Sequence, residues 1–266
     1  MFPILLELGP LKLYSYGAML ALAFLVTGAL LRRELEHRGE DGGLVDTVVF
    51  SAVIGGVLGA RLWSLAENWQ EFLADPVGGI FSGSGLVFYG GAIGGTLAVL
   101  WGLKRKKANL LMVCSLVVPL LLLGYSFGRI GCMLAGDGDY GGASDLSWPF
   151  AMALPDALVP PDRHPALIGT GITRDTPVLN TPLFEVVLSG LLFSLIWSQR
   201  NRVARPGMLI SWTMIAMGAE RFVVEHWRLN ADVLGGLSAA QLFSVGLMSV
   251  GLATLVAGAR ARSSTP

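Results

Sequence analysis

The 266 residues would make one or two soluble domains by length alone, but their composition excludes that class. Apolar residues are 53% of the chain and charged residues only 14%, against roughly 25% in ordinary globular proteins. A disordered chain needs the opposite bias, and a net charge of zero leaves no broad nucleic-acid footprint. What remains is an all-α integral membrane protein.

A hydrocarbon core about 30 Å thick takes about 20 apolar residues per helix. Seven stretches qualify, at approximately 12–31, 44–66, 86–103, 109–133, 182–199, 207–227 and 238–258. The first is not expected to be cleaved, because no basic stretch precedes it and Arg32 and Arg33 follow at once. With the N-terminus outside, the inner segments hold Arg32, Arg33, Arg38, Lys104, Arg105, Lys106, Lys107, Arg200, Arg202, Arg205, Arg260 and Arg262. The outer segments hold Lys12, Arg163 and Arg174. That asymmetry follows the positive-inside rule and predicts a seven-transmembrane-helix bundle with the C-terminus inside. The chain is read as a single membrane domain, 1–266. The segment 67–85, with Trp69, Phe72, Pro76 and Phe81, reads as interfacial. The 134–181 stretch is too long for a plain connection, and Trp148 and Phe150 favour a small ordered head on the outer face.

Four arginines, Arg61, Arg129, Arg221 and Arg228, fall at or near membrane depth. Each costs roughly 2.5–3.5 kcal/mol at a helix centre, so such residues face the bundle interior or a polar cavity. A structural ion pair or a snorkelling side chain is the alternative, weightiest for Arg61. Arg221, Glu225 and Arg228 are spaced i, i+4, i+7 and share a helix face. Glu225 is expected to hold one of those arginines and leave the other for a ligand. Arg129 sits in Gly128-Arg129-Ile130-Gly131, one turn below a glycine-rich exit. Tyr89, in Gly85-Leu86-Val87-Phe88-Tyr89-Gly90-Gly91, enters the membrane from the same side. A guanidinium fork in a low-dielectric site suits a phosphate. The residues therefore point to an outward-facing anion site fed laterally by membrane lipid.

Cys114 and Cys132 lie 18 residues apart in one apolar stretch, about 27 Å along a helix, too far for a disulfide. Cys132, one turn after Arg129, is read as a small hydrophobe or as an activated thiol. His37, His164 and His226 fall in different environments, so no metal site is expected. No cofactor motif occurs in a suitable context.

A family likeness rests on these residues. Leu8-Gly9-Pro10 with Tyr14-Ser15-Tyr16-Gly17, Gly59-Ala60-Arg61, Phe88-Tyr89-Gly90-Gly91 and Gly128-Arg129-Ile130-Gly131 occur in order. Trp148-Pro149-Phe150-Ala151, Thr181-Pro182-Leu183-Phe184-Glu185 and Glu220-Arg221-Phe222-Val223-Val224-Glu225 with Arg228 follow. The set resembles the bacterial prolipoprotein diacylglyceryl transferases over nearly the whole chain. The resemblance implies a multi-pass protein of the bacterial inner membrane, in lipoprotein biosynthesis. Its reaction moves the diacylglyceryl group of phosphatidylglycerol onto the lipobox cysteine of a preprolipoprotein signal peptide and releases glycerol phosphate. It implies no cofactor. It assigns Arg129 and Arg221 to the phosphate, Glu225 to orienting Arg221 or Arg228, and Tyr89 to the catalytic set. Arg61, Tyr16, Gly85, Gly90, Gly91, Asp137 and Arg228 are assigned to substrate binding. The sequence departs from the pattern at three places. Tyr89 replaces a histidine, Cys132, Ala135 and Asp137 replace two asparagines and a glutamate, and Leu179-Asn180 replaces His-Pro. A tyrosine, with an ordinary pKa near 10, is either a base activated by nearby arginines or a hydrogen-bond donor to substrate. Two other readings stay open: a paralogue using the same donor with another acceptor, and a non-catalytic membrane protein that binds lipid or a partner.

Overall fold

The computed structural model describes residues 2–9, 11–75, 87–203 and 206–263. Among the described residues it is mainly helical, with three two-stranded antiparallel ribbons and a largely irregular 136–180 segment. Six helices among the described residues are long and apolar enough to cross a membrane: Ser15–His37, Leu44–Glu67, Leu110–Ala135, Thr181–Ser198, Gly207–Trp227 and Ala239–Ala257. The chain is thus a multi-pass membrane protein. The remaining stretch expected to span, 86–103, is the helix Phe88–Arg105. It is diluted by Gly90, Gly91, Gly94, Gly95 and Gly102 and ends on Lys104-Arg105.

The chain forms two compact units. The smaller, Gly28–Val113, contains α2 (Leu44–Glu67), α3 (Trp69–Ala74) and α4 (Phe88–Arg105). Here α2 and α4 touch backbone to backbone. A Cβ on Gly59 would lie 2.3 Å from the Gly90 carbonyl oxygen, and one on Gly94 would lie 2.4 Å from that of Gly55. Apolar side chains gain little from leaving lipid, so membrane helices associate through close backbone approach at small residues.

The larger unit is Met1–Thr27 with Cys114–Pro266. The hairpin β1 (Ile4–Leu8) and β2 (Leu11–Tyr14) leads into α1 (Ser15–His37). Its start is pinned by the Phe2 amide, which donates to the Leu134 carbonyl at 3.0 Å. Next comes α5 (Leu110–Ala135), then the 136–180 segment with the short ribbon β3 (Ala151–Met152) and β4 (Val178–Leu179). Tyr140, Leu154, Leu167 and Val178 give that segment its own buried cluster, and the Tyr140 hydroxyl donates to the Val159 carbonyl at 2.6 Å. The helix α6 (Thr181–Ser198) opens on Asn180, whose side-chain oxygen accepts from the Leu183 amide, with Pro182 in the first turn. Thus Asn180, at a departure from the family pattern, caps the helix.

The bundle closes with α7 (Pro206–Val224), a 3-10 turn (Glu225–Trp227), the ribbon β5 (Asp232–Leu234) and β6 (Leu237–Ser238), and α8 (Ala239–Ser263). Small residues again set the α7–α8 contact. A Cβ on Gly251 would meet the Ser211 carbonyl oxygen at 2.9 Å, and the Ser211 and Thr254 hydroxyls lie 2.8 Å apart.

Filling the α2–α4 contact should therefore destabilise the protein. Gly94→Ala, whose Cβ meets backbone, is expected to cost about 1–3 kcal/mol in thermal unfolding in detergent. Gly246→Ala, with nothing within 4 Å, is expected to cost nothing or to stabilise slightly.

Candidate active site

The ends of α5, α6 and α7 bring three guanidiniums around one carboxylate. Glu185 is fully buried, a turn inside α6. Its Oε1 accepts from Arg221 at 2.5 Å and from the Tyr125 hydroxyl at 2.6 Å. Its Oε2 forms ion pairs with Arg129 Nε at 3.0 Å and with Arg228 at 3.5 Å. Asp139 then bridges Arg129 and Arg228, one carboxylate oxygen to each. Glu225 pairs with Arg221 at 2.9 Å through Oε2 and lies 3.6 Å from Arg228 Nε.

Each side chain is aimed by local structure. Arg129 lies 4.9 Å over the Tyr125 ring, one turn earlier on α5. Glu225 has its other oxygen, Oε1, taken by Asn230 Nδ2 and by the Ser238 hydroxyl, both at 2.7 Å. The β5–β6 ribbon thereby turns Oε2 toward the arginines. α7 ends at Val224, so Arg221, Glu225 and Arg228 do not continue one helical face. Arg228 is extended, and the bridge between its backbone and Gly141 returns its side chain to the cluster. Gly141 permits this approach, since a Cβ there would sit 2.4 Å from the Trp227 carbonyl oxygen. Asp139 is tied from α6, where the Thr181 hydroxyl donates to its carbonyl at 2.6 Å.

Glu225 was to pair one arginine and leave another for a ligand, but all three arginines face carboxylates. The physical reason is the environment: an unpaired buried charge costs several kcal/mol, so three guanidiniums require matching counter-ions. Beside them runs a crevice lined by Cys132, Asp137, Asp139, Tyr140, Met152 and Pro182, with no room for a water-sized sphere.

Of the other residues singled out in the sequence, Tyr16 packs on Gly131, where a Cβ would meet its ring carbon at 3.1 Å. Asp137 hydrogen-bonds the Cys132 thiol, and Asp139, two residues on, donates its backbone N–H to Asp137 at 3.3 Å. Burial, then the Asp139 charge, raises the Asp137 carboxyl above its usual range. Burial also acts on Asp139, but the Arg228 and Arg129 charges outweigh it and hold that carboxyl down at about 2. Cys132 is buried, with Arg129 at 3.6 Å from its sulfur. Cys132, Asp137 and Asp139 offer ligand atoms within 4.8 Å of one another, but the two guanidiniums on Asp139 oppose a cation there.

Arg61, Tyr89, Gly90 and Gly91 belong to the smaller unit. Tyr89 stacks edge-on with Phe88, ring centres 5.9 Å apart. Gly90 turns its bare face to α2, where a Cβ would collide with Trp63 Cβ and the Gly59 carbonyl. Gly85 lies outside the described residues. The sequence reading gave no role to Glu185, Asp139 or Tyr125. Glu185 carried the same signal as the arginines, a charge just inside an apolar span. Glu220 adds a buried carboxyl with an oxygen that has no hydrogen-bond partner.

The fold and site define a polytopic membrane protein with an arginine–carboxylate cluster at one end of its bundle. The family model for prolipoprotein diacylglyceryl transferase matches residues 3–257. A phosphatidylglycerol–prolipoprotein diacylglyceryl transferase of Clostridium tetani is 32% identical over 258 residues, covering 95% of this chain and 96% of that protein. Proteins of the same name from Bordetella avium and Burkholderia ambifaria are 31% and 30% identical, covering 99% and 98% of this chain and 97% and 95% of their own lengths. The chain belongs to the prolipoprotein diacylglyceryl transferase family.

Two outcomes test the cluster. Glu185→Ala leaves three arginines short of a counter-ion and is expected to cost about 3–5 kcal/mol in unfolding. The Asp139 carboxyl is depressed in the folded protein, so its stabilisation is present above the ordinary value of 3.8 and is lost as pH falls toward 2. The acid limb of a melting-temperature profile below pH 4 should therefore be shallower in Asp139→Asn.

Proposed function

We propose that this chain transfers the diacylglyceryl group of phosphatidylglycerol to the lipobox cysteine of a preprolipoprotein and releases glycerol phosphate. The observation that carries the reading is the convergence of Arg129 from α5, Arg221 from α7 and Arg228 from just beyond α7 on Glu185 of α6. The match to the family over nearly its whole length supports it. In this reading the donor's phosphate comes to the guanidiniums from the lipid phase. The peptide thiolate attacks the glycerol carbon that carries the phosphate. A sulfur–carbon bond forms, the carbon–oxygen bond breaks, and the phosphate ester leaves with the electron pair. Fixed positive charge at the leaving oxygens lowers that barrier, because the charge develops where the donors already point. Arg129 and Arg221 serve as that charge, and Glu225 and Glu185 orient them. The thiol proton goes to a base, and Tyr89 is either that base or a hydrogen-bond donor to the substrate. Tyr16, Arg61, Arg228, Asp137 and the glycines Gly85, Gly90 and Gly91 are the residues this reading assigns to substrate binding.

The same reading places the protein in the bacterial inner membrane with seven spans, Phe88–Arg105 being the third. The N-terminus then lies outside, the C-terminus inside, and the 134–181 head meets the acceptor peptide. The loss of the family histidine at Tyr89 favours one second reading, a paralogue that uses the same donor with a different acceptor.

Purified protein incubated with phosphatidylglycerol and a lipobox peptide tests both. Glycerol phosphate together with lipidated peptide is expected; glycerol phosphate without peptide modification favours the paralogue, and neither product refutes both. Arg129→Ala should lower release by about 100-fold or more. Cys132→Ser should retain activity; its loss would restore the activated-thiol reading. Full activity in Tyr89→Phe would remove that hydroxyl from the mechanism.

A further inference from the structure

We propose that Asp139 is a displaceable counter-ion, seated on Arg129 and Arg228 where a phosphate ester binds and moved aside when that ester arrives. The inference rests on the reading that the Arg129, Arg221 and Arg228 cluster takes the donor's phosphate, and it seats the two free phosphate oxygens on Arg129 and Arg228. It adds which carboxylate must yield.

Three carboxylates balance the three arginines, and they are not equivalent. The Glu185 side chain is wholly buried and that of Glu225 is 2% exposed, whereas that of Asp139 is 31% exposed. Glu185 sits on α6, where it also accepts from Tyr125. Glu225 is fixed by Asn230 and Ser238. Removing either would strand a charge in the bundle. Asp139 lies between helices, and its backbone is held without its carboxylate: the amide donates to Asp137 and the carbonyl accepts from Thr181. Its side chain can therefore rotate into water while the main chain stays in place.

The geometry of the seat matches the ligand. Asp139 gives one oxygen to Arg129 and the other to Arg228. Two non-bridging oxygens of a phosphodiester can make the same pair of charge-assisted bonds. The two anions compete for the same donors, because Asp139 already occupies an N–H of Arg129 and an N–H of Arg228. Charge points the same way. With Asp139 in place the arginines are neutralised and an incoming anion gains little. With Asp139 turned out, one positive charge is left, which a phosphodiester satisfies. Asp139 is the carboxylate that water can rehydrate at least cost.

The device also bears on turnover. A returning carboxylate competes with the bound product and speeds its departure. Asp139→Asn keeps the shape of the side chain and removes its charge. It should bind phosphate esters more tightly and release them more slowly.

The test uses the full chain in phosphatidylcholine nanodiscs, titrated by calorimetry with short-chain phosphatidylglycerol and, separately, with glycerol phosphate. Asp139→Asn is expected to bind about tenfold more tightly than the wild type. Thr181→Val, which frees the Asp139 carbonyl, is expected to shift affinity the same way by a smaller factor. It also keeps the test available if the first variant folds poorly. In the transfer reaction KM and kcat should both fall for Asp139→Asn, a split that a merely structural role would not give. A gain with both ligands assigns the seat to lipid and product alike, and a gain with glycerol phosphate alone assigns it to the product; either upholds displacement. If the wild type binds and the variants bind equally or more weakly, Asp139 is structural and the inference falls while the phosphate reading stands. If no folded protein binds either ligand, both fall.

Discussion

Three guanidiniums cannot sit at the end of an apolar bundle without anions to meet them, and Glu185 is the residue that meets all three. Its position fixes much else. Asn180 and Pro182 start α6 so that Glu185 faces inward one turn later. Thr181, in the same turn, holds the carbonyl of Asp139. Gly141 lets the chain after α7 come close enough for Arg228 to join. The 136–180 segment and α6 are therefore one construction, built to place a loop carboxylate and a helix carboxylate on the same arginines.

That construction explains how a costly charge cluster becomes useful. A bare arginine fork would be expensive in a membrane, and a fully neutralised one would have no grip on an anion. The cluster lies between these limits. Two of its carboxylates are buried and locked by further hydrogen bonds, and one is partly exposed. Binding of a phosphate ester then becomes an exchange of one anion for another, with the desolvation cost of the arginines already met in folding.

The sequence displayed part of this. Arg129, Arg221, Glu225 and Arg228 stood out because charges in apolar helices need a reason. Glu185 obeyed the same rule but lay inside a motif that drew attention as a whole. Asp139 was invisible, because an aspartate in a glycine-rich loop carries no signal until the fold returns it to Arg129. The i, i+4, i+7 spacing of Arg221, Glu225 and Arg228 assumed a continuous helix. The residues meet instead through a 3-10 turn and an extended Arg228. The glycines divide similarly. From the sequence, Gly90 and Gly91 read as room for a headgroup. In the structure Gly90 also lies against Gly59 and Gly91 against Gly56, so the α2–α4 contact uses the same small residues. Hydropathy identified the apolar helices well; the described part of the remaining one, Phe88–Arg105, is 18 residues long and combines glycines that pack on α2 with a terminal Lys104-Arg105.

The account turns on a phosphorus atom coming into contact with these guanidiniums. Solid-state NMR can measure the dipolar coupling between lipid phosphorus and 15N-labelled arginine side chains, with the protein reconstituted in phosphatidylglycerol. A short-range coupling present in the wild type and weakened in Arg129→Lys, with the share from Arg221 and Arg228 remaining, is predicted. Wild-type coupling that is absent, or that survives that substitution at full strength, would contradict it.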